Sequence, residues 1–160
     1  MLDVAGPAYR VSINEARRTL PDLSLPGRFE RVGKFILDVA HNPDGIRALV
    51  ASLDAIALQR PVAAVLGVLG DKDWKQMMSL ICPAVDCTVL TAPASAPPNR
   101  AWDPERALEF GRSNGWQVQL VRDLPAAVAH ASAIGSTVVI TGSFHTVGEA
   151  SLLGLQALHP

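Results

Sequence analysis

The sequence predicts an α/β protein with a doubly wound, mostly parallel sheet of about six strands and helices on both faces. Short apolar stretches typical of strands alternate with amphipathic stretches typical of helices, five times in succession. The stretch 62–69 is apolar throughout, as expected for a strand that is covered on both faces. Polar and ionisable residues follow the ends of several predicted strands, which is where open α/β sheets bind their ligands.

The first 25 residues fit this alternation less well. Residues 11–20 have the composition of a short helix, and Pro21 to Pro26 has that of a linker. The Pro26-Gly27 step marks the start of the alternating pattern. We therefore divide the chain into 1–25, the end of a preceding domain with its linker, and a domain at 26–160.

The strands of that domain are predicted from its apolar runs. They are expected at 28–32, 34–39, 62–69, 87–92, 116–121 and 137–141. Because parallel strands need right-handed crossovers, the loop after each strand should lie on one edge of the sheet. The result is a Rossmann-like arrangement.

The helices are predicted from apolar periodicity and from residues that favour helix starts. They are expected at 43–58, from a cap at 71 or 73 to about 81, 104 to about 111–115, 124–134 and 147–158. Asn42 suits the cap of the first, with Pro43 at its first position. Asp71 or Asp73 suits the cap of the second, and Asp103 suits that of the third.

Composition excludes several classes of function. The chain has 160 residues, 49% hydrophobic and 18% charged, with a net charge of −1, so no basic surface for nucleic acid is indicated. No apolar run reaches the roughly 18 residues of a membrane span, and the N-terminus lacks the pattern of a signal peptide. Cys82 and Cys87 lack CxxC spacing and are expected to be ordinary thiols, which fits a cytoplasmic protein.

Four loops should meet at the carboxyl edge of the sheet. They are Asp38–Asp44, Gly67–Asp73, Thr91–Arg100 and Thr141–Thr146. This edge of an open α/β sheet is the usual place for a ligand, so these loops hold the candidate site.

Each candidate side chain has a structural reading beside the functional one. Asp38 fits an acceptor for a ribose hydroxyl, or an acceptor for backbone N–H groups. His41 fits a donor to a ligand, or a packed loop histidine. Asn42 fits a helix cap whose amide also touches a ligand. Lys72 fits a lysine that binds a carboxylate or phosphate, or a solvated charge, and Ser143 offers an adaptable hydroxyl.

Other familiar nucleotide and catalytic motifs are missing from the sequence. It has no GxxxxGK[S/T] phosphate loop and no GxGxxG fingerprint after a strand. The stretch 141–145 lacks the second glycine of a nucleophile elbow, so a serine hydrolase is disfavoured. His and Cys spacing predicts no metal site. On this evidence the chain carries part of a nucleotide site at most.

Four stretches of the chain carry a recognisable pattern: Leu25-Pro-Gly-Arg-Phe-Glu30, Asp38-Val-Ala-His-Asn-Pro43, Leu66-Gly-Val-Leu-Gly-Asp-Lys-Asp73, and Thr141-Gly-Ser-Phe144 continuing to Gly148-Glu149. Together they resemble the C-terminal domain of the Mur ligase superfamily, and within it the folylpolyglutamate synthase / dihydrofolate synthase family. The second is shared across the superfamily, whereas its pairing with the first and third is more specific to the folate branch.

The resemblance implies an ATP-dependent ligase in which ATP phosphorylates a folate or pteroate carboxylate and L-glutamate then attacks the acyl phosphate. It implies that Arg28, Asp38 and His41 approach ATP. It places Asn42, Lys72 and Ser143 near the amino-acid substrate, and no catalytic residue is assigned with them. ATP and Mg2+ would be bound mainly by a separate N-terminal ATPase domain, which this sequence lacks, so we expect the chain alone to be inactive.

Two alternatives remain open at this point. One is the corresponding domain of a sister Mur-type ligase that adds another amino acid. The other is a freestanding Rossmann-like binding module without a catalytic partner.

Overall fold

The computed structural model describes residues 12–19 and 25–155. Its strands are β1 (Glu30–Val32), β2 (Phe35–Asp38), β3 (Val62–Leu66), β4 (Cys87–Leu90), β5 (Val118–Leu120) and β6 (Thr137–Thr141). Its α-helices are α1 (Ile13–Thr19), α2 (Pro43–Asp54), α3 (Trp74–Ile81), α4 (Pro104–Ser113), α5 (Leu124–Ile134) and α6 (Phe144–Ser151).

The six strands form one sheet in the order β1-β2-β6-β3-β4-β5. Strand β1 pairs antiparallel with β2, and the remaining pairs are parallel. The chain moves outward from β3 to β5 and then returns through α5 to insert β6 between β2 and β3. The predicted fold class, a mostly parallel α/β sheet of about six strands, is confirmed.

The sheet separates two hydrophobic layers, because successive side chains of a strand point to opposite faces. In β2, Ile36 packs into one layer, whereas Phe35 and Leu37 pack into the other. Helices α2, α3 and α4 contribute to the first layer, and α5 and α6 contribute to the second. All five residues of β3 and all five of β6 are buried, which matches the apolar sequence of these central strands.

The predicted helix caps are present. The side chains of Asn42, Asp73 and Asp103 accept hydrogen bonds from the backbone N–H groups of Gly45 at 2.7 Å, Gln76 at 3.1 Å and Arg106 at 3.0 Å respectively. Each satisfies one of the N–H groups that a helix start leaves without an intrahelical partner. The sequence therefore located the starts of α2 and α4 correctly, and of the two caps left open for α3, Asp71 or Asp73, the structure has Asp73.

The last helix was predicted in the wrong place. We expected it at 147–158, but α6 begins at Phe144 because Ser143 caps it, accepting from the backbone N–H of Thr146 at 3.0 Å. It ends at Ser151, and Gly154 follows with a positive φ of 62°. The apolar periodicity of 147–158 gave no sign of this cap.

Several other boundaries are shorter than predicted. Helix α2 ends four residues early at Asp54, and β3 ends at Leu66, three residues before the end of the apolar run. The short helix expected at 11–20 is present as α1. The parts of our predictions that fall at 1–11, 20–24 and 156–160 lie outside the described residues.

Both cysteines are free thiols. Burial raises the pKa of the Cys82 thiol to about 11, and burial also raises the pKa of Cys87. Among the helices of the described ranges, none combines the length and apolarity that crossing a membrane requires.

Alanine substitutions at two glycines, Gly142 and Gly148, test the packing at the carboxyl end of β6. Gly142 has a φ of +109°, and a Cβ there would lie 2.6 Å from the backbone oxygen of Gly67. We expect Gly142→Ala to lower the free energy of unfolding by about 1–3 kcal/mol, since both the backbone and the contact are strained. Urea denaturation of the purified chain measures this.

Gly148→Ala is the matched control, because a Cβ added at this exposed position of α6 meets nothing within 4 Å. Alanine favours helix over glycine by roughly 0.8–1.0 kcal/mol, so this variant should be as stable as the wild type or more stable. Equal denaturation midpoints for the two variants would contradict the packing described at Gly142.

Candidate functional site

The carboxyl ends of three central strands lie at the same level. Thr141 at the end of β6 pairs with Asp38 at the end of β2 and with Leu66 at the end of β3. The loop after β4 joins them from the side, because the backbone N–H of Gly70 donates to the carbonyl oxygen of Arg100 at 2.7 Å. The four loops predicted to meet at this edge therefore do so.

A cavity of about 260 Å3 opens between these loops. Its lining residues are His41, Leu69, Lys72, Arg100, Gly142, Ser143, Phe144 and His145. All four loops contribute to this set, and so do three of the six candidate residues, His41, Lys72 and Ser143. The cavity is the place where the candidate residues come closest to a shared ligand.

A cluster of three charged side chains lies at one side of the cavity, where Lys72 and Arg100 line it and Asp71 lies behind them. The Arg100 Nη2 donates to both carboxylate oxygens of Asp71, at 2.9 and 3.1 Å, and the Lys72 Nζ lies 3.5 Å from the same carboxylate. The hydrogen bonds from Arg100 hold the pKa of Asp71 below its usual value, and the nearby positive charges of Arg100 and Lys72 lower it as well. One carboxylate thus faces two cations, and the cluster keeps a positive charge that suits a carboxylate or phosphate group.

The start of α6 faces the cavity from the opposite side. The Thr146 hydroxyl donates to the carbonyl oxygen of Gly67 at 2.8 Å, so the Ser143 hydroxyl must be the donor in their 2.9 Å contact. Ser143 therefore has its proton committed to Thr146 and is not the adaptable hydroxyl that we predicted. The backbone N–H groups of Phe144 and His145, without hydrogen-bond partners in the described part of the chain, are the donors that α6 presents.

Asp38 follows the structural reading. Its two carboxylate oxygens accept the backbone N–H groups of Phe29 and Ala40, each at 2.9 Å. Phe29 has a positive φ of 48°, which is uncommon for a residue other than glycine, and the carboxylate holds this turn in place. Asp38 does not line the cavity, although each oxygen keeps a second lone pair for a ligand hydroxyl.

Arg28 and His41 meet on the rim of the cavity through an aromatic side chain. The Arg28 guanidinium carbon lies 5.8 Å from the centroid of the Phe144 ring, and the His41 ring lies 5.4 Å from it, centroid to centroid. Phe144 is 57% exposed, so its ring is accessible to a flat heterocycle. The His41 Nδ1 lies 3.0 Å from the Val39 carbonyl oxygen; since a carbonyl only accepts, Nδ1 carries a proton.

The structure favours the structural interpretation for Asn42 and the ligand-binding interpretation for Lys72. Asn42 caps α2, as predicted, but its side chain does not line the cavity. Lys72 is not simply a solvated charge, because it lines the cavity beside Asp71 and is only 30% exposed.

Five lining residues were not among our candidates, namely Leu69, Arg100, Gly142, Phe144 and His145. Each lies in a loop that we placed at this edge, so their positions in the sequence were the available signal. Nothing in the spacing indicated that Arg100 reaches across to Asp71, because 29 residues separate the two.

The chain matches known proteins over most of its length. The family described as "Mur ligase, glutamate ligase domain" matches residues 27–144. The chain is 36% identical over 146 residues to a dihydrofolate synthase/folylpolyglutamate synthase of Escherichia coli, covering 87% of this chain and 33% of the relative. It is 32% identical over 141 residues to a folylpolyglutamate synthase of Lacticaseibacillus casei, covering 81% of this chain and 30% of that protein.

A solved structure supports the same relationship. The folylpolyglutamate synthase of Mycobacterium tuberculosis, crystallised with ADP and AMPPCP, superimposes with a TM-score of 0.77 at 33% identity, covering 91% of this chain and 36% of that one. The chain therefore spans about a third of the length of the relatives it matches.

The dependence of the Asp71 pKa on Arg100 can be tested by titration. We expect Arg100→Gln to raise the pKa of Asp71 toward its ordinary value, because the hydrogen bonds from Arg100 are the main cause of its lowering. NMR titration of the Asp71 side-chain carboxyl carbon measures this. Since the folded-state pKa is lowered, the pairing stabilises the fold at neutral pH and its contribution fades as the pH falls through that lowered pKa.

Arg112→Gln is the control, because Arg112 lies exposed in the last turn of α4 and does not line the cavity. It should leave the Asp71 titration unchanged. An Asp71 pKa that is the same in Arg100→Gln and in the wild type would show that the pairing does not persist in solution.

Proposed function

Because the chain belongs to the Mur ligase family of glutamate ligase domains, we propose that it is the C-terminal domain of an ATP-dependent ligase that adds L-glutamate to folate or dihydropteroate. The observation that carries this proposal is the cavity at the carboxyl edge, where Lys72 and Arg100 face the start of α6. The names of the E. coli and L. casei relatives favour the folate branch over other branches of the family.

The cavity suits an amino acid that carries more than one carboxylate. Lys72 and Arg100 supply two cations on one side, and the N–H groups of Phe144 and His145 supply neutral donors on the other. Glutamate brings two carboxylates, which these cations and donors suit, and its one ammonium group points toward the side of the cavity where the Asp71 carboxylate supplies the opposite charge. We assign Lys72 and the start of α6 to the amino-acid substrate, with Ser143 holding that start in place and Asn42 holding the start of α2.

We assign the neighbouring rim to ATP. Arg28 and His41 flank the exposed Phe144 ring, and Asp38 fixes the turn that carries Arg28. A guanidinium group suits a phosphate, and the remaining lone pairs of Asp38 suit a ribose hydroxyl. These residues lie beside the amino-acid cavity, so both substrates would be held at one edge of the sheet.

The proposed chemistry is a positioning task. ATP transfers its terminal phosphoryl group to the folate or pteroate carboxylate, which releases ADP. The neutral amine of glutamate then forms the amide bond to the acyl carbon, the bond from that carbon to the phosphate oxygen breaks, and phosphate leaves with the proton that the amine gives up. The part of this chain is to hold the amino acid and close against the domain that carries the acyl phosphate, which keeps water away from it.

A metal ion is not assigned to this chain. Within 12–19 and 25–155, no group of three or more His, Cys, Asp or Glu residues is placed to hold one. The Mg2+ that accompanies ATP in such a reaction would be held by another domain, and no step proposed for these residues depends on it.

Two other functions compete with this proposal. A sister ligase would use the same cavity for another amino acid, and a screen of acceptors separates the two, since only the folate ligase extends folates. A freestanding binding module would carry the cavity without a catalytic partner. The coding sequence upstream of Met1 separates that case, because a continuous frame encoding a phosphate loop would join the chain to an ATPase domain.

We expect the isolated chain to release no ADP from ATP, folate and L-glutamate. The physical reason is that the sequence carries no phosphate loop to hold the nucleotide. A coupled assay for ADP measures turnover, and calorimetry should find ATP binding weaker than low micromolar. Sustained ADP release, or tight ATP binding by the chain alone, would refute this expectation.

In a full-length enzyme that contains this chain, Lys72→Ala should raise the KM for glutamate about tenfold or more, because a charge-assisted hydrogen bond is worth roughly 1.5–3 kcal/mol. The KM for ATP should change little. Lys75→Ala is the control. Lys75 is on α3, its ammonium group lies over the rings of Trp74 and Phe110, and it does not line the cavity. Equal glutamate KM values for the two variants would remove Lys72 from the amino-acid site.

A further inference from the structure

Residues 91–101, in the loop between β4 and α4, reach the wall of the cavity at Arg100, and three of these residues cannot donate a backbone hydrogen bond. Pro93, Pro97 and Pro98 have no backbone N–H. Near its ends the loop is tied to β3 and to the loop that follows it: the N–H of Thr91 donates to the carbonyl of Leu66 at 3.0 Å, and the carbonyl of Arg100 accepts from the N–H of Gly70 at 2.7 Å. The tip, residues 94–99, lies between these two ties.

Two side chains of α6 hold this tip. The Glu149 carboxylate accepts the backbone N–H groups of Ala94 at 3.1 Å and Ser95 at 2.6 Å, one on each oxygen. His145 adds a 3.0 Å contact between its Nδ1 and the Ser95 hydroxyl. Among the described residues, these are the hydrogen bonds that reach the tip from outside the loop.

These contacts of Glu149 and His145 with Ala94 and Ser95, which we call the clamp, connect the two sides of the cavity. His145 lines the cavity from α6, and Arg100 lines it from the far end of the loop, where it pairs with Asp71. Within the loop, the Arg100 N–H donates to the carbonyl oxygen of Pro97 at 2.8 Å. This hydrogen bond connects Arg100 to the tip that Glu149 and His145 hold. Glu149 itself does not line the cavity, so its influence on a ligand must pass through the loop.

We propose that Glu149 is a positioning residue: by holding the loop 91–101 against α6, it fixes the His145 imidazole and the Arg100 guanidinium at the cavity wall and thereby sets the affinity for the amino-acid substrate. This inference rests on the proposed function for its substrate. The clamp itself is a property of this chain and is tested without any activity.

The first test is backbone amide hydrogen exchange in the purified chain, measured by NMR. Glu149→Ala should speed exchange at Ala94 and Ser95 about tenfold or more, since each loses a hydrogen bond to a charged acceptor. Exchange at Arg100 should also rise, whereas Val65 in the buried strand β3 should not change. Glu149→Gln keeps one acceptor oxygen and should restore part of the protection, which guards against a variant that simply unfolds.

Two results of this test would overturn the proposal. Unchanged exchange at Ala94 and Ser95 would show that the carboxylate does not hold the tip in solution. Faster exchange there with no change at Arg100 would show that the clamp does not extend to the cavity wall.

The second test uses a full-length enzyme that contains this chain. Glu149→Ala should raise the KM for L-glutamate about tenfold while kcat and the KM for ATP stay within about twofold, with partial recovery in Glu149→Gln. Glu109→Ala, an exposed glutamate of α4, is the matched control and should leave all three constants unchanged. A glutamate KM that is the same in Glu149→Ala as in the wild type would overturn the proposal.

The two tests separate failure of this inference from failure of the proposed function. If the wild-type enzyme does not ligate glutamate to a folate, the proposed function is wrong, and hydrogen exchange still decides whether the clamp holds the loop. If ligation proceeds normally in Glu149→Ala, the function stands and the positioning role is lost.

Discussion

The register of β6 is the constraint on which the site depends. This strand lies between β2 and β3, and its last residue, Thr141, pairs with Asp38 on one side and Leu66 on the other. Both central strands β3 and β6 are buried over their full length, so sliding either by one residue would exchange the side chains that pack into the two hydrophobic layers and disrupt the packing of both. Hydrophobic packing thus fixes where three strands end, and three loops begin from the same level.

The loops that begin there are then tied to one another by polar contacts. The Thr146 hydroxyl donates to the carbonyl of Gly67, which joins α6 to the loop after β3. The Asp71 carboxylate joins that loop to Arg100. Close backbone approach supports these ties, since a Cβ at Gly67 would lie 2.4 Å from the Thr146 hydroxyl. The cavity is consequently bounded by segments that are held by both packing and hydrogen bonds.

The charges of the site are uneven in a way that favours an anion. Lys72 and Arg100 share the single carboxylate of Asp71, whose pKa is held below its usual value by the hydrogen bonds from Arg100. The start of α6 adds backbone donors from the other side. A substrate that brings carboxylates supplies the charge that this arrangement lacks, and this physical argument is independent of the similarity to folate enzymes.

The sequence by itself determined the fold class, the order of the elements, the caps at Asn42 and Asp103, and the four loops that form the site, whereas it left the cap of α3 open between Asp71 and Asp73. These follow from local patterns: apolar periodicity, residues that cap helices, and the rule that parallel strands end on one edge. Only the tertiary structure decided which side chains face the cavity. Arg100 reaches Asp71 across 29 residues, and Glu149 reaches Ser95 across 54, and no local pattern encodes such contacts. Ser143 shows the same limit, because its hydroxyl is committed to the start of α6 by a partner, Thr146, that is itself fixed by Gly67 in a distant loop.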